Sequence, residues 1–242
     1  MPATCLNDID IAILAGGFGT RLRPVFSEGP KVLAPIDGVP FLRRYLDWLK
    51  SFGARRVILS LGYKAEMVQS FVKSERWAGL EIECFVESTP LGTGGAIRAV
   101  LPLVRARTVL VANGDSVTRL DLCRFVEFHR RKRARASMVL THMPQVGQSG
   151  LVETDSNDAV LSFNEKPAQH AGGGYINAGL CLLQRDAVEE IPADGQVSLE
   201  REVFPRFCGR GFYAMKGEFP FIDIGTPESY SRAGEFFRQE AA

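Results

Sequence analysis

No surplus of charge of either sign marks this sequence: 29 Lys and Arg stand against 28 Asp and Glu, a formal net charge of +1 over 242 residues. Without a global field to hold a polyanion, nucleic acid is disfavoured as the main partner and a small-molecule substrate is favoured. Long hydrophobic runs are missing too. No window approaches the ~20 apolar residues of a membrane span, and the opening MPATCLNDIDIAIL has no basic leader region and is interrupted by Asp8 and Asp10. The expected location is the cytoplasm. Cysteine is scarce and unpatterned: Cys5, Cys84, Cys123, Cys181 and Cys208 are odd in number, widely scattered and never in a CxxC pair. That spacing argues against a disulfide framework or a zinc knuckle, and predicts small buried apolar residues in a reducing compartment. Histidine is equally sparse, with His129, His142 and His170 isolated and without an assigned role. Repeats, low-complexity tracts and linkers are absent, so a single domain over residues 1–242 is the economical reading.

What is present is an alternation of short apolar runs with longer helical patterns, which points to a mostly parallel sheet with crossover helices. Ile9 to Leu14 reads as a first buried strand. In PFLRRYLDWLKSFGA, Phe41, Leu42, Tyr45, Leu46, Leu49 and Phe52 recur at three- and four-residue intervals between Pro40 and Gly53, an amphipathic helix. Arg56 to Leu61 and Leu80 to Val86 read as strands, AEMVQSFVK and GGAIRAVLPLV as helices, and TVLVANGD as a strand delivering an acid at its end. From Ala136 the strands crowd together with little helix between them, so an antiparallel or mixed extension is predicted. The boundary divides a nucleotide half, about 1–135, from an acceptor half, about 136–242. A last helix, TPESYSRAGEFFRQ, is capped by Thr226 with Pro227 at its first position.

Three loops carry the chemistry. In IAILAGGFGTRLRP a strand breaks into Gly16, Gly17 and Gly19, where backbone N–H groups can approach an anion because no Cβ intervenes. The loop lacks the Gly-Lys-Ser/Thr ending of a P-loop, and Leu22 stands where a dinucleotide fingerprint needs its third glycine. Instead Arg21 is followed by Lys31, two cations suited to a triphosphate and to charge building on a leaving pyrophosphate. Asp115 of NGD ends an apolar strand at the same sheet edge, and Asp223 lies between Ile222 and Ile224 in FIDIGTP. Both are natural Mg²⁺ ligands, since that ion takes one or two carboxylates and completes its shell with phosphate and water; the bland alternative for each is a cap on the following turn. Glu165 and Lys166 of FNEKP offer a carboxylate for sugar hydroxyls and a point charge for a phosphate monoester, or a solvated edge. The basic run HRRKRARA follows an amphipathic helix without interleaved aromatics, and reads as a solvated helix end rather than a nucleic-acid patch.

Taken in order, G-G-x-G-T-R-L, P-K, L-G-T-G-G-A, N-G-D, E-K-P, I-N-A-G and D-I-G-T-P make the chain resemble the sugar-1-phosphate nucleotidyltransferases from Ile9 to about Tyr230. The resemblance implies a Rossmann-like α/β/α sandwich with a central mixed, mostly parallel sheet. It implies that Leu14, Gly16, Gly17, Gly19, Thr20 and Arg21 surround an NTP, with Lys31 at the phosphates and Glu87, Gly92 and Thr93 at base and ribose. Asn113, Gly150, Glu165, Lys166, Asn177 and Glu200 would take the sugar phosphate, and Asp115 and Asp223 would hold Mg²⁺. Arg21, Lys31, Asp115, Lys166 and Asp223 form the implied catalytic set. A glutamate at position 87 can accept both N1–H and N2–H of guanine, whereas uracil offers only its N3–H, which favours GTP. Glu153 joins Glu200 as a further candidate for hydroxyl contacts. The implied partners are an NTP and a sugar 1-phosphate, with a homodimer allowed. A catalytically inactive nucleotide-sugar-binding relative is the alternative of another class; the joint presence of Arg21, Lys31, Asp115, Lys166 and Asp223 speaks against it.

Overall fold

The computed structural model describes residues 4–144, 150–164 and 172–239. Its first half alternates strands and helices. β1 (Asp10–Ala15) leads through the glycine loop to a short turn over Lys31–Leu33 and a hairpin of β2 (Pro35–Ile36) and β3 (Val39–Pro40). Then come α1 (Phe41–Ser51), β4 (Arg56–Leu61), α2 (Ala65–Ser74), β5 (Glu81–Val86), α3 (Gly92–Val100) and β6 (Thr108–Asn113). A three-residue β7 (Ser116–Thr118) precedes α4 (Leu122–Arg131). The second half runs β8 (Ala136–Met143), β9 (Leu151–Thr154), β10 (Val160–Asn164), β11 (Gly174–Gln184) and α5 (Arg185–Glu189). It closes with a wide helical turn over Leu199–Val203, α6 (Phe204–Phe207), β12 (Phe212–Gly217), β13 (Phe221–Asp223) and α7 (Pro227–Arg238).

The main sheet has the order β10-β9-β11-β6-β1-β4-β5, with β8 on β11 and β12 on β8. β6, β1, β4 and β5 are mutually parallel, and β11 joins β6 antiparallel, so the sheet is mixed as its sequence pattern predicts. Alternation sends neighbouring residues to opposite faces. Ile11, Ile13, Val57, Leu59 and Leu110 pack under α1, α4 and α7, whereas Ala12, Ile58, Val109 and Val111 pack under α3, α5 and α6. Both faces are therefore covered, which is why β1 and β4 read as continuous apolar runs. α1 shows the helical version: Phe41, Leu42, Tyr45, Leu46 and Leu49 are buried, and truncating one such leucine to alanine costs about 2–5 kcal/mol. Among the described residues no helix is long and apolar enough to cross a membrane.

One expectation is corrected. Cys5 and Cys123 form a disulfide with a Cα–Cα distance of 5.3 Å, while Cys181 is buried and Cys84 and Cys208 are half-buried as free thiols. The bond joins the turn before β1 to the start of α4, positions 118 residues apart. Only tertiary docking brings them together, so local cysteine spacing carries no trace of the pair.

Candidate active site

The carboxyl ends of β1, β5 and β6 open into a cleft of about 370 Å³. Open α/β sheets bind ligands at this edge because the loops leaving the strands diverge there. The floor is made where β6 ends against β1: Gly114 N–H donates to the Leu14 carbonyl at 2.8 Å. A Cβ on Gly114 would stand 2.6 Å from that carbonyl oxygen, so the glycine of NGD permits the approach.

This packing sets Asp115 directly after the floor, and a second pairing brings Asp223 beside it. β13 pairs antiparallel with β7, Asp223 opposite Ser116, and Ile224 N–H donates to the Asp115 carbonyl at 2.8 Å. Two acids far apart in sequence are thereby fixed next to each other by main-chain bonds. Lys31 Nζ donates to Asp115 Oδ2 in a close ion pair. Asp223 Oδ1 accepts from the Gly225 N–H. Burial pushes the Asp223 carboxyl above the ordinary aspartate range, and the neighbouring Asp115 charge pushes the same way. The Gly225 N–H, Lys31 and Arg21 pull in the opposite direction. Two carboxylates thus share one committed lysine. Among the described residues no group of three or more His, Cys, Asp or Glu side chains is gathered as in an all-protein metal cage.

At the other end of the cleft Glu87 is oriented by two donors. Ser60 Oγ donates to its Oε1 at 3.0 Å and the Leu91 N–H to its Oε2 at 3.1 Å. Fixing both oxygens fixes the carboxylate plane while leaving each a further lone pair. Behind it α3 begins at Gly92, and its first turn is stitched to the second half of the chain: Gly94 N–H donates to the Val197 carbonyl and Val197 N–H to the Leu91 carbonyl, both at 2.8 Å. Thr93 Oγ1 donates to Glu200 Oε2 at 2.7 Å and accepts from Leu199 N–H at 2.8 Å, with Ser198 Oγ donating to the same Glu200 oxygen at 3.0 Å.

Leu14, Gly16, Gly17, Lys31, Glu87, Gly92, Thr93, Asn113 and Asp115 line the cleft. Arg21 and Thr20 are exposed, and Arg21 reaches the Asp223–Gly225 turn. Gly19 lines a small recess next to the cleft. Glu200 stands behind Thr93 and Ser198, and Asn177 Oδ1 accepts from the Gly179 N–H at 3.0 Å. Gly150 packs on Phe163, and Glu153 accepts from Ser162 across the β9–β10 ladder; neither lines the cleft. Glu165 and Lys166 lie outside the described residues. Sequence reasoning missed Phe18 and Gln196, which also line the cleft. Phe18 was legible as a large apolar residue inside a glycine loop, whereas Gln196 in its exposed loop carries no sequence signal.

Known proteins resemble this chain in sequence and fold. A family model described as nucleotidyl transferase matches residues 11–240. The D-glycero-alpha-D-manno-heptose 1-phosphate guanylyltransferase of Aneurinibacillus thermoaerophilus is 36% identical over 228 residues, covering 93% of this chain and 96% of that protein. The mannose-1-phosphate guanylyltransferase of Mycobacterium tuberculosis is 36% identical over 229 residues; the match covers 93% of this chain but 64% of that longer protein. The crystal structure of HddC from Yersinia pseudotuberculosis complexed with GMP-PN superposes with a TM-score of 0.82 at 36% identity, covering 95% of this chain and 99% of that one.

Proposed function

The chain belongs to the nucleotidyl transferase family, and from that premise we propose that it is a guanylyltransferase making GDP-D-glycero-α-D-manno-heptose from GTP and the sugar 1-phosphate. The observation that carries the reading is the juxtaposition of Asp115, Asp223 and Lys31 beside the glycine loop. An oxygen of the sugar phosphate attacks the α-phosphorus of the NTP in line. A new P–O–P bond forms, the α–β anhydride breaks, and its electron pair leaves on pyrophosphate. The attacking phosphate is already ionised near neutral pH, so no general base is needed, and none of the described residues lining the cleft is a histidine. Gly16 and Gly17 present backbone to the triphosphate, while Arg21 and Lys31 meet charge as it moves to the leaving group. Positioning and charge neutralisation do the chemistry.

The donor set fits Mg²⁺: two adjacent carboxylates, one of them buried enough to be raised by its neighbour, are relieved by a divalent cation. Asp115 and Asp223 would hold the ion, which when bound supplies neutralisation of the phosphates. Lys31, paired with Asp115 at the cleft, would face the phosphates from the same point. Glu87, with its plane fixed by Ser60 and Leu91, accepts the N1–H and N2–H of guanine. Support for the heptose comes from the Aneurinibacillus enzyme, and support for guanosine also from the nucleotide analogue in the HddC crystal. Glu165, Lys166 and Asn177 are the residues proposed for the sugar phosphate, with Asn113, Gly150 and Glu200 as further members of that group. The nucleotide half before about residue 135 and the acceptor half after it divide this work.

Pyrophosphate release over a grid of four NTPs against heptose, mannose and glucose 1-phosphates tests the proposal. Turnover is expected with GTP and the heptose phosphate. Turnover confined to UTP or dTTP overturns the guanylyl assignment. A preference for mannose 1-phosphate overturns the sugar, which the equal identity to the Mycobacterium enzyme makes the competing outcome.

A further inference from the structure

The glycine loop from Gly16 to Pro30 contains no strand and no α-helix. Its own main-chain bonds cluster at the centre, with Leu22 N–H on the Gly19 carbonyl and Val25 and Phe26 N–H groups on the Leu22 carbonyl, each at 3.0 Å. Leu22 is buried, but Phe18 and Val25 are more than half exposed. Leu22 and the half-buried Phe26 anchor the middle of the loop on the core, while its entry at Gly16 and its Ser27 and Glu28 carbonyls are held by another segment.

The turn between β4 and α2, Gly62 to Lys64, reaches both ends. Tyr63 N–H donates to the Gly16 carbonyl at 3.3 Å. A Cβ on Gly62 would stand 2.6 Å from the Gly16 oxygen, so the backbones pack directly. Lys64 Nζ donates to the Glu28 carbonyl at 2.7 Å and the Ser27 carbonyl at 3.4 Å. Between those points the Tyr63 ring contacts Phe18 at 5.8 Å and carries Arg23 at 5.5 Å over its face. Lys64 adopts a left-handed conformation, φ 51° and ψ 41°. For a residue with a Cβ this costs on the order of 1 kcal/mol or more. Here it begins α2 and aims the ammonium back at the loop. A conformation that glycine would adopt freely is held by a lysine whose side chain is used.

We propose that Tyr63 and Lys64 form a clasp that positions the glycine loop for the nucleotide, with Lys64 closing its distal end. This rests on the nucleotidyltransferase reading of the cleft. The clasp touches no reacting atom. It sets the loop backbone and Arg21 before the NTP arrives, so that little ordering remains to be done on binding. A clasp of this kind acts on substrate and transition state equally, and its loss raises KM with kcat unchanged.

The test is hydrogen exchange of residues 17–26 in the full chain without nucleotide, together with steady-state kinetics, for Lys64→Met, Lys64→Gly and the exposed control Lys73→Met. Lys64→Gly removes the left-handed strain along with the amine, so a folding defect cannot mimic the result. Both Lys64 variants are expected to exchange faster in the loop and to raise KM for GTP about five- to tenfold, the scale of one typical net hydrogen bond. Their kcat is expected to stay within about twofold, because the transition-state contacts are retained. Unchanged exchange and unchanged KM overturn the clasp. A raised KM with unchanged exchange also overturns it, since that is the mark of a lysine touching the nucleotide. Absence of GTP binding by the wild-type chain in calorimetry overturns the functional reading instead, while the exchange difference still decides the clasp.

Discussion

The two ends of the parallel strands both gather charge and treat it oppositely. At the amino end Arg56, 6% exposed, faces Asp10, Glu81 and Glu83 and donates to the Leu103 carbonyl at 2.6 Å. Asp10 in turn accepts the Arg105 and Ala106 N–H groups at 2.5 and 3.0 Å. Nearby, His129 is buried between Ser137 and Gln184, accepting from the glutamine amide and donating from Nδ1 to the serine. Arg56, Asp10 and His129 each have their partners inside the protein. At the carboxyl end Asp115 and Asp223 are pressed together by β7 and β13 with a single lysine committed to them. Such an excess of negative charge is unfavourable in the free chain and is relieved by a cationic ligand. Closed networks hold a fold; an open one binds.

That contrast can be broken at four points, in falling order of effect. Asp115→Asn removes a carboxylate from the open end, and Mg²⁺-dependent turnover is expected to fall about 10³-fold, the scale of losing one electrostatic contact to developing charge. The circular dichroism spectrum and melting curve are expected to remain those of a folded protein, and near-normal turnover would remove Asp115 from the site. Arg56→Met opens the closed end, where stranding a buried acid costs about 3 kcal/mol, the lower limit for broken buried pairs. Urea denaturation reads that loss, while turnover per folded molecule is expected to be unchanged.

His129 tests the closed end by pH. Burial, assisted by Arg130, holds its imidazole down to about 4. The unfolded chain therefore binds the proton first, and stability falls as pH drops below the ordinary value near 6.5. Between pH 6.5 and 5 the loss is on the order of 2 kcal/mol, and His129→Gln is expected to flatten that slope in urea titrations. Asp223 has the opposite sign. Its raised folded value makes its contribution present at low pH and lost as pH rises through the window just above the ordinary aspartate value. Without ligand at neutral pH, Asp223→Asn is therefore expected to melt slightly higher than wild type, and to lose that advantage at low pH. A lower melting temperature at neutral pH would show that the two acids are not in net conflict.

Much of the architecture was legible. β4 begins and ends where periodicity puts it, at Arg56–Leu61, because it is a buried run flanked by punctuation, and the strands crowd together after Ala136 as read. Thr226 caps α7 as read, and adds a capping box with Ser229. β7 escaped notice because three residues after a Gly-Asp turn are too short to show a period, yet it is β7 that brings Asp223 to Asp115. Each acid was recognisable by its place at a strand end; their adjacency belongs to a strand pairing that no local pattern encodes. The same holds for the Cys5–Cys123 bond and for the bond from Thr93 to Glu200, which joins two halves of the sequence. Glu87 was placed at the base by the family resemblance, while the Ser60 hydroxyl that orients it comes from the neighbouring strand.

β11 pairs with β6 of the first half over residues 180–184 and with β8 of the second over residues 174–177 and again over 181–183, so a single ribbon belongs to both. Rotating one half against the other would require that ribbon's ladders to break. Substrate traffic must then be managed by the parts around the rim, much as a room with fixed walls is entered only through its doors. Evolution could reshape those doors for a new sugar or base and leave the walls untouched.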